Sequence, residues 1–135
     1  MTRRRATIVL HWATFTLLVL LMAGGGAALG WAFVAAGLAF AATAALGLHG
    51  GPGPKLEGLA RAAFPGMHWG MYALTAGVAA ATAYDLLGGS VDLALWHMAL
   101  LSAAALHGVF HLWRHTALGD GALRKITPRA LHGLL

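Results

Sequence analysis

A chain of 135 residues that is 59% hydrophobic and only 10% charged has too little charge to cover a soluble domain of its size. Without cysteine it forms no disulfide, no thiolate metal site and no cysteine-held iron–sulfur cluster. Its net charge of +5 would suit nucleic acid, but the apolar background argues against that partner and for a lipid bilayer.

In chain order, Arg3, Arg4 and Arg5 precede a first apolar segment from about Thr7 to Ala23. Its length is close to the roughly 20 residues that cross a bilayer. A basic start and an apolar run also describe a signal peptide. Here, however, His11-Trp12 lies inside the run, and no small-residue cleavage site precedes a polar mature start. Gly24-Gly25-Gly26 makes a tight uncharged turn into a second segment, about Trp31 to Leu48. Gly50-Gly51-Pro52-Gly53-Pro54-Lys55 and a short polar stretch to Pro65-Gly66 read as a loop, because Pro and Gly at this density break helices. A third segment covers about Met67 to Leu87. Gly88-Gly89-Ser90 then turns the chain into a fourth, about Val91 to Trp113, and residues 114–135 form a basic tail. The pattern predicts one all-α domain over residues 1–135, an integral membrane four-helix bundle. Glycines in and beside the apolar runs suit close helix packing.

With four spans, all nine Lys and Arg residues fall on one face, and the opposite face carries only Asp85 and Asp92. The positive-inside rule then puts both termini and the middle loop in the cytoplasm.

Eight histidines in so apolar a chain need an explanation, because an ionisable group inside a membrane helix is costly. His11 lies six residues past Arg5, and His107 seven before Arg114. At 1.5 Å per residue they sit about 9 and about 10 Å from the same face, at matched depth on the first and fourth helices. Two imidazoles facing each other across a bundle can hold one haem iron from both sides. His111, four residues after His107, shares its helix face. The plainer account of any single buried histidine is a hydrogen bond to a carbonyl. His49 and His68 fall at the cytoplasmic boundary, where histidines need no ligand, and are secondary candidates. His97 sits near the far face just after Trp96, with no histidine at the start of the second segment to partner it. His115 and His132 read as solvated tail residues. Trp31, Trp96 and Trp113 lie near span ends, as an aromatic belt would. Trp12 and Trp69 each follow a histidine and could pack on a porphyrin or belong to the belt.

Four runs stand in a telling order: Leu10-His11-Trp12, His68-Trp69-Gly70-Met71-Tyr72, Trp96-His97, and Leu106-His107 through Arg114-His115 with Asp120-Gly121-Ala122-Leu123-Arg124-Lys125 and Pro128 behind it. Together they resemble the bacterial cytochrome b561 family, four-helix cytochromes of the inner membrane that carry haem b. The resemblance implies His11 and His107 as the axial pair of a cytoplasmic-side haem, with His68 at a position that is not usually a ligand. It also implies exchange of electrons with a quinone and a partner redox protein. Two departures stand out. Ten residues separate His97 from His107 and fourteen separate His97 from His111, and the family's spacing is the latter. The longer match, in the tail, favours His107 over His111. The second helix lacks a ligand near Trp31, so one haem is expected. A second would need His97 with Met22, since His/Met ligation occurs in other cytochromes.

The sequence has no nucleotide loop, no nucleophile-and-base pair and no carboxylate dyad, so the haem would carry the redox chemistry. Whether the chain is itself an oxidoreductase is left open, and its short loops favour a relay or a subunit. The alternatives are a non-catalytic membrane anchor, or a pigment- or metal-ion-binding subunit of a larger membrane complex.

Overall fold

The computed structural model describes residues 2–48 and 50–134, and among these there is no β-strand. Four long helices dominate: α1 (Arg3–Met22), α2 (Ala27–Ala42, extended by a 3₁₀ turn at Thr43–Leu46), α3 (Gly58–Leu86) and α4 (Leu93–Thr116). A short α5 (Ala122–Ile126) and a 3₁₀ turn (Arg129–Leu134) follow.

Every predicted segment is a helix, but the boundaries shift. α1 takes in the three arginines expected before it. Thr2 caps it by accepting from the Arg5 amide at 3.5 Å. Arginines in a first turn oppose the helix dipole, and here hydrogen bonds to distant carbonyls offset this. Arg3 donates to Gly47 O at 2.5 Å, and Arg4 to Arg124 O at 2.9 Å and Thr127 O at 3.2 Å. After α1 the chain reverses at Gly24, whose φ of 99° only glycine adopts freely. α2 starts at Ala27 rather than Trp31 and ends before Leu48. α4 starts at Leu93, where the Asp92 carboxylate accepts from the Leu95 amide at 3.0 Å. It runs on past Trp113 to include Arg114 and His115.

The largest correction is at α3. It begins at Gly58, and Pro65-Gly66 lies inside it rather than in a loop. Proline lacks the N–H that would bond the Arg61 carbonyl, so the helix loses one internal bond there. The flanking Leu59-Ala60-Arg61-Ala62-Ala63 run favours helix. Arg61 also ties the helix start down, donating to Gly53 O at 2.7 Å and Leu56 O at 3.2 Å.

α2 packs against both α1 and α3, while α4 packs on α3 and touches α1. The core takes Leu18 from α1, Phe33 from α2, Val78 and Ala79 from α3 and Leu100 from α4. Gly37 lets α2 approach α3, since a Cβ there would lie 3.3 Å from the Ala79 Cβ. Two buried threonines of α3 satisfy their hydroxyls within their own helix: Thr75 donates to Met71 O and Thr82 to Val78 O, both at 2.8 Å. Large apolar side chains face outward instead, with Val9 56%, Val109 64% and Leu106 73% exposed. Large apolar side chains on the outer surface as well as in the core depart from the pattern of a soluble helical domain.

Three helical stretches, Arg3–Met22, Ala27–Leu46 and Leu93–Thr116, are long and apolar enough to cross a membrane. α3, expected as a fourth span, is long enough but carries few large aliphatic side chains, with Leu59, Leu74, Val78 and Leu86 among its 29 residues. It lies between α2 and α4, so its neighbours cover much of its surface and it needs fewer large aliphatic side chains.

Candidate functional site

Regular spacing lines up one polar stripe on each of three helices. On α1, Thr7, His11, Thr14 and Leu18 recur at steps of four, three and four. On α3, Phe64, His68, Met71 and Thr75 do the same, and on α4 Ala104, His107, His111 and Arg114 recur at three, four and three. Such steps put each set on one helix face. The three stripes meet around a cavity of about 170 Å³ that His11, His68, His107 and His111 all line.

The four imidazoles differ in their partners. His68 is held at both ring nitrogens: Nδ1 lies 2.8 Å from Phe64 O, one turn back on its own helix, and Nε2 lies 3.3 Å from His111 Nε2. His107 packs among them with its ring steeply inclined to both, its centroid 5.0 Å from that of His68 and 4.5 Å from that of His111. It makes no hydrogen bond among the described residues, and its Nδ1 is buried without a partner. His11 likewise makes none; its ring meets Trp12 and Phe40 edge-on, each at 5.7 Å. The Thr14 hydroxyl in the same cavity is also buried and unpartnered.

Arg114 closes the cavity toward the basic end. The sequence places it in a solvated tail, but its side chain is 1% exposed. It forms an ion pair with Asp120, itself 3% exposed, and donates to Pro52 O at 2.6 Å. Its guanidinium lies over Phe64 at 5.1 Å and Phe110 at 5.9 Å, within cation–π range. Asp120 also accepts from the Ala122 amide at 2.8 Å and so orders the start of α5. His115 and His132 are not simply solvated either. His115 Nδ1 is buried without a partner, and His132 Nε2 lies 3.2 Å from Thr127 O.

The structure brings His11, His107 and His111 together as the sequence predicts. It adds His68 as a full member of the group, because the early start of α3 moves this residue about 15 Å into the helix. The helix-forming run before Pro65 was the signal for this. His49 lies outside the described residues. His97 stands apart with Met22 in a second cavity of about 500 Å³ near the opposite end. Its Nε2 is 3.1 Å from Thr82 Oγ1, whose own proton goes to Val78 O. The threonine oxygen is therefore the acceptor and His97 Nε2 the donor, the plainer role for a buried histidine. Trp12 is tied by its indole N–H to Ile126 O at 3.0 Å, which docks the tail on α1.

No protein-family model, curated protein or solved structure matches the chain. Haem b, which the resemblance to cytochrome b561 implies, requires two imidazoles free to ligate. Among the described residues, His11 and His107 are the two imidazoles of this cavity without hydrogen bonds, and aromatic and aliphatic side chains line it beside them. The residues fit the group in donor chemistry. At about 170 Å³ the cavity is below the roughly 300–1,000 Å³ usual for ligand pockets.

Proposed function

We propose that this chain is a b-type cytochrome of the bacterial inner membrane. In this reading it has four spans and cytoplasmic termini, and it relays single electrons between the quinone pool and a partner redox protein. One observation carries the reading: His11 on α1 and His107 on α4 line one cavity, and among the described residues neither makes a hydrogen bond. Haem b bound by that pair would supply an iron that cycles between two oxidation states without rearranging its ligands.

The chain's own residues have supporting roles. His11 and His107 would supply both nitrogen ligands from two helices. Phe40, Phe64 and Leu18 line the cavity beside them. The Arg114–Asp120 pair closes the cavity and ties α4 to the loop at Pro52, which fixes the depth of His107. The His68–His111 contact holds the other two imidazoles against each other rather than toward His11. A single site of this kind serves one face of a core about 30 Å thick, so full transmembrane transfer requires a cofactor in a partner.

A reduced-minus-oxidised visible spectrum of the purified protein tests the reading. A low-spin b-type spectrum with one haem per chain is expected. It should vanish in His11→Ala and in His107→Ala and survive, with weaker binding or a shifted potential, in His111→Ala. Folded protein with no haem spectrum would leave the cofactor-free anchor as the better account. Loss in His111→Ala but not in His107→Ala would exchange the two ligands.

A further inference from the structure

The same cavity carries a second arrangement that does not involve His11. We infer that His68, His107 and His111 form a three-histidine site for a single transition-metal ion of the kind imidazole prefers, with zinc as the representative. This inference stands on the trio alone and does not depend on the haem reading.

One ring nitrogen from each of the three residues lies within 4.8 Å of the other two. Zinc–imidazole bonds are about 2.0–2.1 Å long, so two ligands of a tetrahedral ion stand about 3.3 Å apart. The Nε2 atoms of His68 and His111 are 3.3 Å apart. As an N–H···N hydrogen bond this distance is long. As the edge of a coordination tetrahedron it needs no adjustment.

The chain positions also suit metal binding. His107 and His111 are four residues apart on α4, the spacing that puts two histidines on one helix face in zinc sites. His68 comes from the adjoining helix and closes the triangle. The hydrogen bond from His68 Nδ1 to Phe64 O places the proton on that nitrogen, which leaves the Nε2 lone pair facing the other two rings. A backbone carbonyl behind a ligating imidazole is the usual outer support of such a site. His107 has a buried nitrogen, Nδ1, that no described residue satisfies.

The donors are all neutral, which sets the chemical class. Three imidazoles and no carboxylate favour zinc, copper or nickel over magnesium or calcium, which need oxygen ligands. Arg114 lies near the trio, but its charge is balanced by Asp120, so the ion does not face an uncompensated cation. Three protein ligands leave a fourth position open for water or a small anion. Because His107 belongs to this trio and also to the proposed haem pair, one chain would hold the ion or the haem, a consequence that rests on the haem reading.

Zinc binding to purified, haem-free protein without a polyhistidine tag tests the inference, with bound metal measured by equilibrium dialysis and elemental analysis. Wild type is expected to take up one zinc per chain at this site. His68→Gln and His111→Gln should each weaken that binding by at least about 100-fold, beyond the roughly 10–100-fold lost when only an outer hydrogen-bond partner is removed. His11→Gln should bind as wild type does. Circular dichroism on each variant establishes that it is folded. The inference fails if folded wild type binds no zinc, if either glutamine variant at 68 or 111 retains wild-type affinity, or if His11→Gln loses as much as they do. Haem loss in His11→Ala leaves this result untouched, so the two readings fail separately.

Discussion

Arg114 shows how far a single side chain can depart from its sequence context. It follows an apolar run and precedes Arg124, Lys125 and Arg129, so it reads as one of a solvated basic set. Its partner Asp120 is six residues on, across the end of α4, and no helical spacing marks the two as a pair. The histidines were more legible. The depth of His11 and His107 follows from counting residues from the nearest charge, and the shared face of His107 and His111 from their separation. His68 was not, because its depth depends on a helix start that Pro65 and Gly66 conceal. With both charges of the Arg114–Asp120 pair out of solvent, removing one strands the other. Asp120→Ala should therefore cost about 3–5 kcal/mol in thermal unfolding of the detergent-solubilised protein. The double change Arg114→Met with Asp120→Ala should cost clearly less than Asp120→Ala alone. Equal losses in the two would mean that the charges do not interact.

The four apolar segments were visible as elements, together with the glycine-rich turns between them, since periodicity and Gly clusters are local signals. Their true lengths were not, because capping residues and distant carbonyls decide where each stops. The three arginines of α1 join the helix only because Gly47, Arg124 and Thr127 offer acceptors far along the chain. Nor does local sequence say which glycines matter for packing. Gly37 faces Ala79 at the α2–α3 contact, whereas a Cβ on Gly70 of α3 meets nothing within 4 Å. Gly37→Leu should force the two helices apart and destabilise by about 1–3 kcal/mol, the usual cost of overfilling a packed site. Gly70→Leu should leave thermal stability unchanged. Similar melting temperatures for the two variants would show that α2 and α3 do not depend on this close approach.

For the molecule as a whole, side-chain hydrogen bonds gather the N-terminus, the 47–57 segment and the tail at one end. Lys55 joins the set by donating to Gly119 O at 3.1 Å. The segregation of charge was readable in the sequence because it depends only on which segments are connected. The number of spans was less so, since α3 is made apt for its place by neighbours rather than by its own composition. Reporter fusions at Gly51 and Gly89 separate the alternatives: with α3 across the bilayer they should report opposite sides, the first cytoplasmic. The same side for both would mean that α3 does not cross. The bonds at this shared end also fix an order of events. Arg4 binds carbonyls 120 and 123 residues further on. At synthesis rates of about 5–20 residues per second, roughly 6–24 s pass between the making of Arg4 and the making of its first acceptor. The Pro52 carbonyl likewise waits 62 residues for Arg114. All four long helices are therefore made before either acceptor of Arg4, and a ribosome that stalls just short of Arg124 leaves a chain whose N-terminal clasp onto the tail has not yet been translated.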